Sequence, residues 1–385
     1  MRNNIFHRAD AAGEKAEQLF ATHWKPFEDP FWSLEEKQGR YKKPRIEFFL
    51  ANFISGQIAG DVNLTKLFSE YKAFLKPRKG SKEPRYATVA DEIKELARIG
   101  AIYRELIERN TASELSIFAR RLQPWDVTTV YPLAMRLWAA VSMNEVEKGE
   151  CLRMLNSLVV RRAVCGLTTK NYNKFFLMAV DHLDQTQWTP GALTSFLLSQ
   201  KQESGRMPRD DEFREKWLSV PAYHLLQPAR TRAVLEEIEV RKRMAFHETT
   251  QLAASLTVEH VMPTKWFIAW PMADGYKPTE QEFWTVAYSN VESHSLGGRI
   301  VRRNRLKDSF GNLTLLTQPL NSAVSNGPYE AKRNAIGEHS LLVMNRELVK
   351  EARWDEEVIL ERGAKLFDYA LRIWLLPSMP STSEA

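Results

Sequence analysis

Cysteine is almost missing from this chain: Cys151 and Cys165 are the only two in 385 residues. Two thiols are too few for a disulfide framework or an all-cysteine zinc site, and the default expectation is a reducing cytoplasm. Long apolar runs are missing as well. No window approaches the ~18 residues that a membrane span needs, and the opening Met-Arg-Asn-Asn-Ile-Phe-His-Arg-Ala-Asp is too polar for a secretory signal. The eight histidines show no His-x3-His spacing and no Cys-x2-Cys accompanies them, so a zinc hydrolase has little support. Repeats and low-complexity tracts are lacking too. What remains is ordinary globular composition, 44% hydrophobic and 26% charged, which excludes wholesale disorder.

The charge balance is unevenly spread. Lys and Arg outnumber Asp and Glu by 54 to 48, a formal +6, but residues 246–385 hold 15 cations against 17 anions. The surplus therefore sits in residues 1–245, in Arg40-Tyr41-Lys42-Lys43-Pro44-Arg45 and between Lys76 and Arg85. Such runs are most often solvated loops; their functional reading is a surface that contacts phosphates. The C-terminal part has one basic cluster, Arg299, Arg302, Arg303, Arg305 and Lys307. Arg161-Arg162 reads either as a buried or interhelical ion pair or as a DNA contact.

Most of the first 245 residues carry a helical period. Val89, Ile93, Leu96, Ile99, Tyr103 and Leu106 form one stripe, opened by a Thr88/Asp91 capping pair. A second helix is expected from Met143 to Cys165, stopped at Gly166, and a third from Pro228 to Met244. Loops are expected at 77–81, 187–191 and 205–211. After residue 250 the pattern changes. Val258 to Pro263 is a short β-prone run ended by proline, and Phe310 to Leu316 a second, entered through Gly311. A polar helix is expected over 318–332 and a last one over 354–376. His247, ahead of the first run, reads as helix surface, and the aromatics spread along helical faces read as core. The fold class expected is mainly α, with a small strand–loop–strand–helix unit embedded among the helices. Expected regions are 1–115, 116–245 and 246–377, with a disordered tail at 378–385.

That small unit gathers the residues with chemistry. Glu259 and His260 are adjacent on a strand and project to opposite sides, so only a twisted or bulged strand end brings both to one cleft. The pair suits phosphodiester hydrolysis, which needs a base for water and a divalent cation for the charge developing on phosphate. Histidine supplies a base near neutrality, while Glu259 and the Asn321 amide oxygen are hard donors suited to Mg²⁺.

Glu259-His260-Val261-Met262-Pro263, Gly311-Asn312-Leu313-Thr314-Leu315-Leu316 and the spaced Asn321, Asn326 and Lys332 resemble the HNH, or ββα-metal, nuclease finger. The version with a long insertion between these elements is similar to the C-terminal domain of GmrSD-type restriction endonucleases, which are modification-dependent enzymes. Segments around Arg2 to Phe6, Trp24 to Glu28, Leu158 to Gly166 and Met207 to Phe213 resemble the helical part of the same proteins. The resemblance implies His260 as general base with Asn312 as its catalytic-site partner, holding the metal loop and the histidine. It implies Glu259 and Asn321 as ligands of Mg²⁺ or Mn²⁺, and Asn326 and Lys332 as motif positions that are structural or phosphate-binding. Arg299, Arg302, Arg303, Arg305 and Lys307 become candidate DNA contacts. The Asp-Gly-Gln-Gln-Arg signature of the family's nucleotide-binding domain is not in this sequence. NTP is accordingly not expected to bind this chain. The expected partners are DNA, modified or not, and a separate subunit carrying that domain. The competing expectation is a non-catalytic DNA- or protein-binding remnant; an RNA-directed nuclease stays open.

Overall fold

The computed structural model describes residues 1–77, 81–245, 251–252, 256–272, 274–286 and 295–379. His247, residues 78–80 of the expected loop at 77–81, and all but the start of the expected tail lie outside the described residues. The chain is mainly α-helical and forms two compact units. One comprises Met1–Leu155, Thr169–Arg206 and Pro377–Ala385; the other comprises Asn156–Thr168 and Met207–Leu376. These bounds differ from the expected regions 1–115, 116–245 and 246–377. No helix among the described residues is long and apolar enough to cross a membrane.

The first unit is built on an aromatic core. Trp32 and Phe49 lie 4.9 and 5.6 Å from Phe27, and Tyr103 lies 5.6 Å from Phe49. The helix Val89–Glu108 supplies Tyr103 and starts as expected, with the Thr88 hydroxyl accepting from the Asp91 amide at 3.0 Å. The charged stretch from Glu35 was not expected to be extended. It makes an antiparallel pair, β1 (Glu35–Gln38) with β2 (Tyr41–Pro44), turning at Gly39, whose φ is 57°. The helix Glu145–Val164 starts in this unit, its residues from Asn156 onward belonging to the other, and it ends where glycine predicted. Gly166 has φ 68°, its amide donates to Ala163, and the Leu167 amide donates to Arg162, a Schellman closure.

The second unit centres on a second antiparallel pair. β3 (Leu256–His260) and β4 (Leu313–Thr317) run in register, with Glu259 opposite Thr314 and His260 opposite Leu313. Four expected elements are corrected. The 310–316 segment is not strand throughout: Phe310–Asn312 is a single 3₁₀ turn, closed by the Asn312 amide on Ser309, and extended structure begins at Leu313. The helix expected over 318–332 is two, Gln318–Val324 and Tyr329–His339. Between them Ser325 takes φ 34°, and Gly327-Pro328 prevents continuation. The last helix runs Glu356–Ile373, because Asp355 caps it by accepting from the Glu357 and Val358 amides. The helix expected from Pro228 is part of Ala222–Ala245, broken at Gln227, whose φ is 68°.

Candidate functional site

β3 stops at His260 for a reason that can be traced to one side chain. Past the last β3–β4 pair, the Val261 amide still donates to the Asn312 carbonyl. Asn312 then pairs with Met262 through its side chain: Oδ1 accepts from the Met262 amide at 2.8 Å, and Nδ2 donates to the Met262 carbonyl at 2.8 Å. A side-chain amide thus continues the ladder that the backbone has left. Nδ2 also donates to the Lys307 carbonyl, and Oδ1 accepts from the Trp354 indole. Asn312 is fully buried with every polar atom committed, so it is a positioning residue and not one that faces the cleft. Gly311 beside it has no room for a side chain: a Cβ would sit on the Ile359 carbonyl, 2.9 Å from its carbon. Arg362 ties down the same turn, donating to the Gly311 and Leu313 carbonyls.

The two motif residues at the strand end diverge as alternation requires. Glu259 faces the helix Tyr329–His339, where Lys332 Nζ donates to its Oε1 at 2.5 Å and to the His260 carbonyl at 2.9 Å. Lys332 is wholly buried, and burial lowers its pKa against the opposing pull of Glu259. Its Nζ is thus engaged by protein oxygens, an arrangement that fits the structural one of the two readings for Lys332. Asn321 sits on the preceding helix, Gln318–Val324. Its Nδ2 donates to Thr257 Oγ1 at 2.8 Å and to the Val258 carbonyl at 3.4 Å, which leaves the amide oxygen unengaged among the described residues.

His260 faces the other way. Its ring packs edge-on to Tyr223 with centroids 4.6 Å apart, and Nε2 lies 2.9 Å from Asp308 Oδ1. Asp308 escaped the sequence reading, although it is the single acid in an otherwise basic segment, four residues ahead of Asn312. Its second oxygen lies 3.4 Å from His224 Nε2 and 3.6 Å from Lys307 Nζ. Burial pushes the Asp308 carboxyl up, but the His260 hydrogen bond and the Lys307 charge overcome it, leaving the pKa below the usual range.

Despite these opposed directions, Glu259 and His260 open onto one cleft of about 350 Å³ at the strand end. Pro263, Thr264, Gln318, Asn321, Ser322, Ser325 and Asn326 complete its lining. Four of the predicted residues are thus together: Glu259, His260, Asn321 and Asn326. Asn312 and Lys332 lie behind them.

The donor set decides which ion the cleft suits. Among the described residues no group of three His, Cys, Asp or Glu could hold a metal, which argues against a closed protein cage. One carboxylate oxygen of Glu259, an amide oxygen and hydroxyls form a sparse hard-oxygen set, which fits a cation that keeps most of its waters, as Mg²⁺ does.

The basic cluster is mostly corrected. Arg303 is buried: it grips Glu356 with two bonds of 2.6 and 2.9 Å, donates to the Trp270 and Pro271 carbonyls, and lies over Trp266. It cannot meet a phosphate. Arg299 pairs with Asp274 at 2.7 Å, and Lys307 lies beside Asp308. Only Arg302 and Arg305 are exposed without a hydrogen-bonded partner among the described residues. Arg161 is likewise buried, donating to the Trp374 and Pro208 carbonyls and pairing with Asp210 at 2.6 Å, which selects the ion-pair reading.

The chain matches no curated protein. Residues 207–369 match the family model described as GmrSD restriction endonucleases, C-terminal domain.

Proposed function

We propose that this chain is a metal-dependent endonuclease that hydrolyses phosphodiester bonds in DNA through an HNH-type ββα site in its second unit. The observation that carries the reading is the convergence of Glu259, His260 and Asn321 on one cleft inside the segment matched to the family. His260 accepts the proton of the attacking water. Glu259 and Asn321 would hold a Mg²⁺ or Mn²⁺ ion, which when bound supplies positive charge to the phosphate and the leaving oxygen. Lys332 holds the Glu259 carboxylate by one oxygen and leaves the other for the cleft. Asn312 fixes the backbone at Met262 and so the end of the strand that presents His260. Ser322, Ser325 and Asn326 give the wall neutral hydrogen-bonding groups suited to phosphate and sugar oxygens.

Supercoiled plasmid with Mn²⁺ or Mg²⁺ tests this. The wild type should nick it, and His260→Ala should nick at least ~10²-fold more slowly, the usual contribution of a positioned base. Equal rates would remove His260 from the mechanism. Binding is tested separately by melting temperature. Mn²⁺ at ~100 times its Kd should add about 2.7 kcal/mol to wild-type stability, and this gain should vanish in Asn321→Ala. A cation that stabilises both equally would assign the metal elsewhere.

A further inference from the structure

One turn of chain, Lys307 to Asn312, grips the strand end from two sides. Asn312 holds Met262, while Asp308 reaches the His260 ring directly. We propose that Asp308 is the positioning residue that selects the tautomer of His260, holding the proton on Nε2 so that Nδ1 is the nitrogen that takes the proton from water. The proposal rests on His260 being the base, as proposed above.

Four observations support it. The Nε2–Oδ1 separation is 2.9 Å, both side chains are nearly buried, and an ionised carboxylate can only accept, so the shared proton belongs to the ring nitrogen. The carboxylate is itself anchored, with His224 and Lys307 at its second oxygen, and the Asp308 carbonyl accepting from the Tyr223 amide. Tyr223, held by that same amide, packs its ring against His260 and limits rotation. Finally, Nδ1 has no protein partner among the described residues, and His260 is part of the cleft lining. A carboxylate that fixes the tautomer and angle of a catalytic imidazole is a known solution in unrelated hydrolases, where losing it costs on the order of 10⁴ in kcat with the geometry intact.

The test reads the tautomer without needing turnover. In full-length protein labelled with ¹⁵N-histidine, the His260 resonances are identified by their loss in His260→Gln. In the neutral ring, Nε2 should appear as the protonated nitrogen and Nδ1 as the bare one. Wild type carrying the proton on Nδ1 overturns the proposal outright. In Asp308→Asn, whose amide can donate, the preference should weaken or reverse, and nicking should fall on the order of 10³-fold with little change in KM for DNA. Asp308→Asn that keeps the wild-type tautomer, or that nicks at the wild-type rate, also overturns it. If wild type nicks nothing with either cation, the endonuclease reading fails, and the tautomer spectra still decide the role of Asp308.

Discussion

Asn312 is the residue on which most of the site depends, although it touches none of the cleft. Its two polar atoms meet four backbone and side-chain groups, all in the interior. Truncation strands the Met262 amide and the Trp354 indole as buried donors without acceptors, at ~1–3 kcal/mol each. Asn312→Ala should therefore lose roughly 3 kcal/mol or more in urea unfolding, and a loss below ~1 kcal/mol would mean that water replaces the amide. Glu356 gives a residue-scale prediction in pH. Burial pushes its carboxyl up, yet the two Arg303 bonds hold it below the usual glutamate range. The folded pKa is thus lower than the unfolded value of ~4.3, so the ionised group stabilises the fold above that value. That stability is lost as pH falls through the folded pKa. Glu356→Gln should lower stability at neutral pH and flatten the dependence below pH ~4.3; an unchanged acid slope would show that the pair contributes nothing.

At the scale of elements, the turn between the insertion and β4 sets the approach of strand and helix. Gly311 meets the Ile359 carbonyl, and on the helix Glu356–Ile373 Gly363 faces Gly311 in return, so two glycines let backbones touch. Gly311→Ala would force backbone against backbone, with no flexible side chain to give way. It should cost about 3 kcal/mol, or prevent folding, whereas Gly191→Ala, with open space around it, should stay within ~0.5 kcal/mol. Thermal unfolding of the two variants checks the contrast. This turn also marks where sequence reading works and where it stops. Gly311, Asn312, Glu259 and His260 were visible because their types and spacing form a pattern along the chain. Asp308 was not, since it acts on a ring 48 positions away through a contact that no local spacing encodes. Arg303 was misread by its charge, although Ile300, Arg303 and Leu306 recur every three residues and place it on the buried face. β1 and β2 are four residues each, with charged side chains and no apolar alternation, so periodicity had nothing to register.

For the whole molecule, the question is what the net charge of +6 does. The basic run at 40–45 looked like its seat, but the fold spends much of it internally. Lys42 pairs with Glu35 at 2.6 Å, Lys43 with Glu47 at 3.1 Å and Arg45 with Glu36 at 3.1 Å. These cations are balanced before any ligand arrives. Arg302 and Arg305, in the slightly acidic C-terminal part, are exposed on the helix Leu296–Lys307 and hold no such close partner among the described residues. Net charge along the chain and charge available to a phosphate are therefore different maps, and salt dependence separates them. Each phosphate contact contributes about 0.9 to the slope of log Kobs against log salt on duplex DNA. Replacing Arg302 and Arg305 together with alanine should reduce that slope by up to about 2, nearly independently of sequence. Replacing Lys42 and Lys43 should leave it unchanged. Fluorescence anisotropy with a labelled duplex across a salt series gives both slopes. A fall for the lysine pair and none for the arginine pair would put the binding surface on the hairpin and overturn this assignment.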